Sequence, residues 1–518
     1  MLPPYQVGQP PISLLHSSFI PTSTDEDNVR KVVQGVEREL ESLDEEITRM
    51  KLALARLEER RADLHSTLLK HRSVLAPIRR LPPEILGIIF SFAIEGCTVR
   101  YPARRDSMPW VLGQVCSFWR EVQISLPQLW SLLDVELFFF NHLGDDASFA
   151  AGLHEAQEFV ETCLRRSGKE LLNLSLRGIG TGSTAAMKVV LRLFVEHAER
   201  WRDAYLEFDV YDFLPTLSPA MHRLPNLSSL SLFSYQRPEQ LPVIAPFEDA
   251  PKLTTLAISG IHNPFYTLIV PWSQISHLTS KSSTFQQGEF TQLLRATQAL
   301  AYLHTESERI LEAASSQPVS LPHLTKLSVV NKGTYIANVF QFLDIPNVRD
   351  LRIHATTRLA SSVTVGRIIR SGCAPTHLSF TSSLLPDTHV EDNMAIIILL
   401  TYLPSITHLE LTVVYSFTEI MPKLFLTRSS GPTTFLPALQ SIHLNDKICV
   451  SEERIFEALA SRIEKCDEES YGAWPENQQG LKEIMLRLSS PPRPTFPQLE
   501  KLRAAATQYG VGITIEAA

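Results

Sequence analysis

The sequence predicts an α+β multidomain protein in three parts: a long N-terminal helix, a compact helical module, and an α/β array of repeated units. Three observations carry this reading. Apolar residues recur at alternating intervals of four and three from Val29 to Leu75. A dense apolar helix start follows at Leu81-Pro-Pro-Glu-Ile-Leu86, and from Leu224 onward one nine-residue template returns six times. A length of 518 residues, 44% hydrophobic residues and a formal net charge of −8 fit a globular chain of several domains. The parts are bounded at residues 1–24, a Pro- and Ser-rich tail expected to be disordered, then 25–76, 77–135 and 136–518.

In the first helix, Val33, Leu40, Ile47, Leu54, Leu68 and Leu75 take heptad position a, and Val29, Val36, Leu43, Met50, Leu57 and Leu64 take d. Only Arg61 at a and His71 at d break the seam, and no proline interrupts the run before Pro77. Such a stripe needs a partner, because propensity alone stabilises an isolated helix weakly. Self-association of residues 25–76 as a parallel dimer is one solution. Docking on the body of the protein, or partial solvation, is the other.

The second part opens with Pro82 and Pro83, which suit a first helical turn where their missing N–H groups cost nothing. Glu84 complements the positive end of the helix dipole. Ile85, Leu86, Ile88, Ile89, Phe90 and Phe92 follow too densely for a single buried face. A further helix is expected from Pro109, with Val111, Leu112, Val115 and Trp119 at helical spacing, packed as a hairpin. About fifty residues form a marginal core alone, so the module is expected to complete itself against neighbours or a partner.

Leu81-Pro-Pro-Glu-Ile-Leu86, Ile89-Phe90 and Val115-Cys116-x-x-Trp119-Arg120 resemble the F-box. The flanking His71-Arg-Ser-Val-Leu-Ala-Pro-Ile-Arg-Arg80 and Trp130 are similar to the expanded set of F-box proteins in mushroom-forming fungi. The resemblance covers roughly a tenth of the chain. It implies docking on a Skp-type adaptor of a cullin–RING ubiquitin ligase. The adaptor-binding set it implies is Leu81, Pro82, Ile85, Leu86, Ile89, Val115, Cys116 and Trp119. A polar insert from Glu95 to Ser107 departs from compact F-boxes.

Beyond it, Leu132 to Phe140 reads as a strand. A helix around Ala156 to Leu164 is expected to stop at Gly168, followed by strand Leu171–Leu176, helix Thr184–His197 and strand Ala204–Val210. Then the template sets in: Leu224-Pro-Asn-Leu-Ser-Ser-Leu-Ser-Leu232, Ala250 to Ile258, Leu321 to Val329, Ile345 to Ile353, Leu403 to Leu411 and Leu436 to Leu444. Weaker copies lie at Gln274 to Leu278, Ala299 to His304 and Pro375 to Phe380. With Leu230, Leu256, Leu278, Leu303, Leu327, Leu351, Leu378, Leu409 and Ile442 as equivalents, the period is roughly 22 to 33 residues, that of leucine-rich repeats in degenerate form. The last two apolar residues of each copy share one strand face, and the proline marks entry from a loop. Residues 455–463 and 499–509 read as helices and 481–488 and 511–515 as strands of a C-terminal cap.

Enzyme chemistry finds little support. Gly178-x-Gly180-x-Gly182 with Glu207 and Asp209 imitates a dinucleotide site, but the third glycine is misplaced. The six cysteines are scattered without C-x-x-C spacing, and the sixteen histidines lack paired ligand spacing, so no metal or cofactor is expected. Charge runs are too short for a nucleic-acid or membrane footprint, and the apolar run Met394–Leu403 is half the length of a membrane span. The N-terminus lacks the basic and apolar regions of a secretory signal, and the cysteine usage suits a reducing interior, cytoplasmic or nuclear. The expectation is a non-enzymatic substrate receptor, the helical module on an adaptor and the array on a target protein. A scaffold acting outside ubiquitination is the alternative. Ser231, Ser328, Arg352 and Glu410, between the last two apolar residues of their units, are the candidate target-binding positions.

Overall fold

A computed structural model of the chain describes residues 23–93, 98–103, 108–137, 146–178, 184–236, 240–286, 288–310, 318–331, 339–340, 343–355, 366, 368–382, 397–413, 436–446, 452–464, 481–488 and 497–517. It is mixed α/β, with a long N-terminal helix and a large parallel sheet, and it divides into two compact units, residues 1–86 and 87–518. The first unit holds the helix Ser23–Leu75, unbroken over 53 residues, then a 3₁₀ turn Pro77–Arg80. The expected start of the disordered tail, residues 1–22, lies outside the described residues.

Among the described residues, the second unit is built on one sheet of fifteen parallel strands. In chain order these are β1 Val99–Tyr101, β2 Leu132–Glu136, β3 Leu172–Arg177, β4 Trp201–Glu207, β5 Ser229–Phe233, β6 Thr255–Ser259, β7 His277–Phe285 and β8 Tyr302–Ile310, then β10 Lys326–Asn331, β12 Asp350–Ala355, β13 His377–Ser382, β14 His408–Val413, β15 Ser441–Asp446, β16 Glu483–Leu488 and β17 Gly512–Ala517. The short strands β9 Val319–Ser320 and β11 Leu343–Asp344 pair separately. Every strand of the large sheet neighbours only the strands before and after it in sequence, and β1 and β17 are its open edges.

The nine-residue template builds a turn and a strand together. In six copies the N–H of the fourth residue donates to the carbonyl of the first: Leu227 to Leu224, Leu253 to Ala250, Leu324 to Leu321, Val348 to Ile345, Ile406 to Leu403 and Leu439 to Leu436. Proline therefore sits at the second position of a β-turn, where its fixed φ is already correct. Both ends of each turn are buried, none more than 2% exposed. The strand that follows alternates buried and half-buried residues, as in β5 and β6. Leu230, Leu256, Leu278, Leu303, Leu327, Leu351, Leu378, Leu409 and Ile442 stand opposite one another in direct register from β5 to β15. They form the spine of the core.

Several expectations are corrected. The helix expected from Pro109 is two helices, Trp110–Val115 and Ser117–Ile124, because Cys116 is extended at φ −163° and ψ 171°. The chain folds back there, and side chains of the second helix hydrogen-bond carbonyls at and near the first: Gln123 Nε2 to Pro109 at 2.9 Å and Arg120 Nε to Gly113 at 2.9 Å. Trp119 is thus not on the helix of Val111 and Val115. The polar insert contains β1, and β1 and β2 open the sheet. The strand placed at 204–210 runs Trp201–Glu207, and Asp209 instead caps the helix Val210–Leu217 by accepting from the Tyr211 N–H. The C-terminal elements are as expected, with helices Glu452–Glu464 and Pro497–Tyr509 between the last strands.

Candidate partner-binding surfaces

The helix Pro83–Ala93 begins as its prolines dictate, with the Leu86 N–H donating to the Pro82 carbonyl at 3.1 Å and Glu84 in the first turn. It carries two apolar stripes. Leu86 and Phe90 are buried, at 0 and 1% exposure, whereas Ile85, Ile88, Ile89 and Phe92 are 43, 53, 39 and 73% exposed. Positions i, i+3, i+4 and i+7 share one helical face, so this helix presents a continuous apolar stripe to solvent.

The second unit holds an aromatic cluster that includes Phe90. The Phe90 and Trp119 rings lie 4.9 Å apart, and Trp110 packs edge-on against Trp130 at 5.2 Å. Trp130 is fully buried, donates from Nε1 to the Gln123 carbonyl at 3.1 Å, and lies under the Arg166 guanidinium at 4.4 Å. This cluster fixes the short helices. Val115, at 54%, and Ile124, at 39%, remain exposed beyond it.

Of the eight sequence-predicted adaptor residues, Pro82, Ile85, Ile89 and Val115 are exposed, Leu81, Cys116 and Trp119 are half-buried, and Leu86 is a core residue. Ile88 and Phe92, outside that set, lie on the same exposed face as Ile85 and Ile89. Their helical spacing from Ile85 was the signal, since a face that starts at Ile85 continues through 88, 89 and 92.

The second surface is the outward row of the sheet. Register aligns Ser231 of β5, Ala257, Thr279, His304, Ser328, Arg352, Ser379, Glu410 and His443 on successive strands. Glu410 is exposed and Ser231 half-buried. Ser328 departs from the expectation: it is 8% exposed because its hydroxyl is bonded to His304 Nδ1 at 2.9 Å on the adjoining strand. Arg352 bonds Asp350 of its own strand at 3.1 Å, and Lys326 reaches the same carboxylate at 3.0 Å. Burial opposes ionisation of Asp350, but these two cations together hold its carboxyl below the usual carboxylate range. Arg352 and Glu410 stand two strands apart, roughly 10 Å along the row.

The neighbouring row carries a repeated histidine device. Ser276, Thr376 and Thr407 each precede a histidine and bond its Nδ1, at 2.9, 2.9 and 2.8 Å for His277, His377 and His408. Each hydroxyl also donates to a carbonyl of the preceding strand segment, Thr407 to Thr376 at 3.0 Å for example. The hydroxyl therefore accepts from Nδ1–H, and the neutral ring carries its lone pair on Nε2. His377 and His408 stack at 4.1 Å with 7° between their planes. Burial, then the neighbouring His377, lowers the His408 pKa below the ordinary histidine value.

The dinucleotide imitation is taken up by structure. A Cβ on Gly178 would lie 2.1 Å from Met187 Sδ, so this glycine serves close helix packing; Gly180 and Gly182 lie outside the described residues. Glu207 accepts hydrogen bonds from the Tyr205 and Tyr235 hydroxyls, both at 2.9 Å. Burial and the Glu207 bond push Tyr205 up to about 12. Asp209 accepts from Ser234 as well as capping its helix. A cavity of about 490 Å³ is lined by Trp110, Gly113, Arg120, Gln123 and Arg166, with no carboxylate among its lining residues. Among the described residues no cluster of three or more metal-ligating side chains occurs, and no helix is long and apolar enough to cross a membrane. No protein-family model and no curated protein matches the chain.

Proposed function

We propose that this chain is a substrate receptor of a cullin–RING ubiquitin ligase, an F-box protein whose helix Pro83–Ala93 docks on a Skp-type adaptor. The observation that carries this reading is the exposed stripe Ile85, Ile88, Ile89 and Phe92 on a helix that opens Leu81-Pro-Pro-Glu-Ile-Leu86. An apolar stripe of this length in water favours a protein partner, and burying each of its side chains contributes about 1.5–3 kcal/mol. The in-register rows of β5 to β15 support reading residues 136–518 as a leucine-rich-repeat-like solenoid, whose outward strand face would hold a target protein. The receptor does no chemistry itself. Holding target and ubiquitin carrier in one assembly raises the effective concentration of the reacting groups.

The test is co-purification with the adaptor. Replacing Leu81 and Ile85 together with Ala, or Ile88 with Asp, should weaken capture on the order of a hundredfold or more with an unchanged melting temperature. Undiminished capture by folded variants rejects the reading. Arg352→Glu with Glu410→Lys should leave the adaptor bound while releasing targets found by proximity labelling. Targets retained by that variant would move recognition off the strand face.

A further inference from the structure

The helix Ser23–Leu75 is about 80 Å long, and its apolar seam is uncovered: Val29, Val33, Leu40, Leu43, Ile47, Met50, Leu54, Leu57, Leu64 and Leu68 are all between 46 and 66% exposed. Its charge is divided along its length. Residues 23–48 hold nine acids against three bases, a net −6, and residues 49–75 hold three acids against seven bases, a net +4. We infer that the helix pairs with the same helix of a second copy in antiparallel orientation. The inference is independent of the adaptor reading.

A parallel pair would set each position against itself. The acidic halves would lie together, Arg61 would face Arg61 inside the seam and His71 would face His71, while Glu39 at g would flank Asp44 at e. Reversing one helix removes these conflicts. In the register that overlaps the whole helix, Ile47 faces Met50 of the second copy, Leu40 faces Leu57, Leu54 faces Leu43, Val33 faces Leu64 and Leu68 faces Val29. Arg61 then faces Val36 beside Glu37 and Glu39, and His71 faces Glu26, so both seam-breaking residues meet acids. On the flanks Glu39 meets Arg60 and Lys51 meets Asp44; Glu58 beside Glu37 is unfavourable. The two residues that spoil a parallel seam thus specify the opposite orientation.

The experiment uses the full chain. Sedimentation at tens of micromolar should give a dimer; a monomer overturns the inference and leaves the seam to the chain's own body. Leu40→Cys and Leu57→Cys variants, mixed and treated with a short thiol crosslinker, should yield the 40–57 linked peptide by mass spectrometry. Leu40→Cys joined to itself instead would establish a parallel pair and overturn the orientation. Glu39→Lys should weaken dimerisation on the order of tenfold, and adding Arg60→Glu should restore it. Absence of rescue in dimers that still form removes the charge argument and overturns the inference.

Discussion

Each hydroxyl–histidine pair on the sheet fixes a ring orientation through a hydroxyl that is itself anchored to a carbonyl, and at His408 burial and the stacked His377 ring have a consequence for pH. Because the folded chain holds His408 below the ordinary value, the unfolded chain binds more protons as the solution acidifies. Its contribution to stability is full above the unfolded value, near 6.5, and is lost as pH falls toward the folded one. His304, lowered by burial and then by Lys281, acts in the same direction. The melting temperature should therefore fall from about pH 7.5 to about pH 5, and His408→Gln should flatten that slope; an unchanged slope shows that the ring does not contribute. Leu327 tests the spine itself. It is fully buried with Leu303 and Leu351 in register on either side, so Leu327→Ala should cost about 2–5 kcal/mol in denaturant unfolding. Ser328 is beside it in sequence but covered from across the strand, so a serine there has less freedom to serve as a contact than its position suggested.

Among the elements, the template was legible because turn and strand are both specified within nine residues: a proline at the turn, buried residues at both ends, and alternation beyond. What the sequence concealed depended on distant partners. The break at Cys116 is held by bonds such as Gln123 to Pro109, and β1 exists because Val99 pairs with Leu133, which no local pattern announces. The exposed stripe of the helix Pro83–Ala93 was half-legible: its density forced a second face, but only burial separates Leu86 from Ile85. Gly260 illustrates a further constraint of the connections. Its φ is +68°, and an added Cβ would lie 2.0 Å from the carbonyl oxygen of Ser234, a main-chain atom just past β5 whose N–H is tied to the Ser259 carbonyl. Gly260→Ala should thus lower stability by about 1–3 kcal/mol or more, read as a shift in the urea midpoint; an unshifted midpoint would mean that this loop repacks freely.

At the scale of the molecule, the order of the large sheet repeats the order of the chain without exception. Stability in such an array is close to a sum of nearest-neighbour terms. A cavity made by Leu256→Ala in β6 should loosen β5 and β7 first and leave β15 to β17 protected, as hydrogen exchange measured by mass spectrometry would report. Uniform loss of protection would instead show one cooperative block.

The same strand order bears on how the protein is made. A ribosome delivers about 5–20 residues per second, so an interval between strands of roughly 22 to 33 residues takes seconds to emerge, whereas a loop closes in well under a millisecond. From β2 onward, each strand of the large sheet meets its preceding partner already synthesised, and none waits for a later segment before it can pair. Stalled nascent chains of increasing length should gain protease resistance in steps of one strand. Growth of the sheet can then keep pace with translation, so that apart from the constant β1 edge only its newest strand is open to mispairing at any moment.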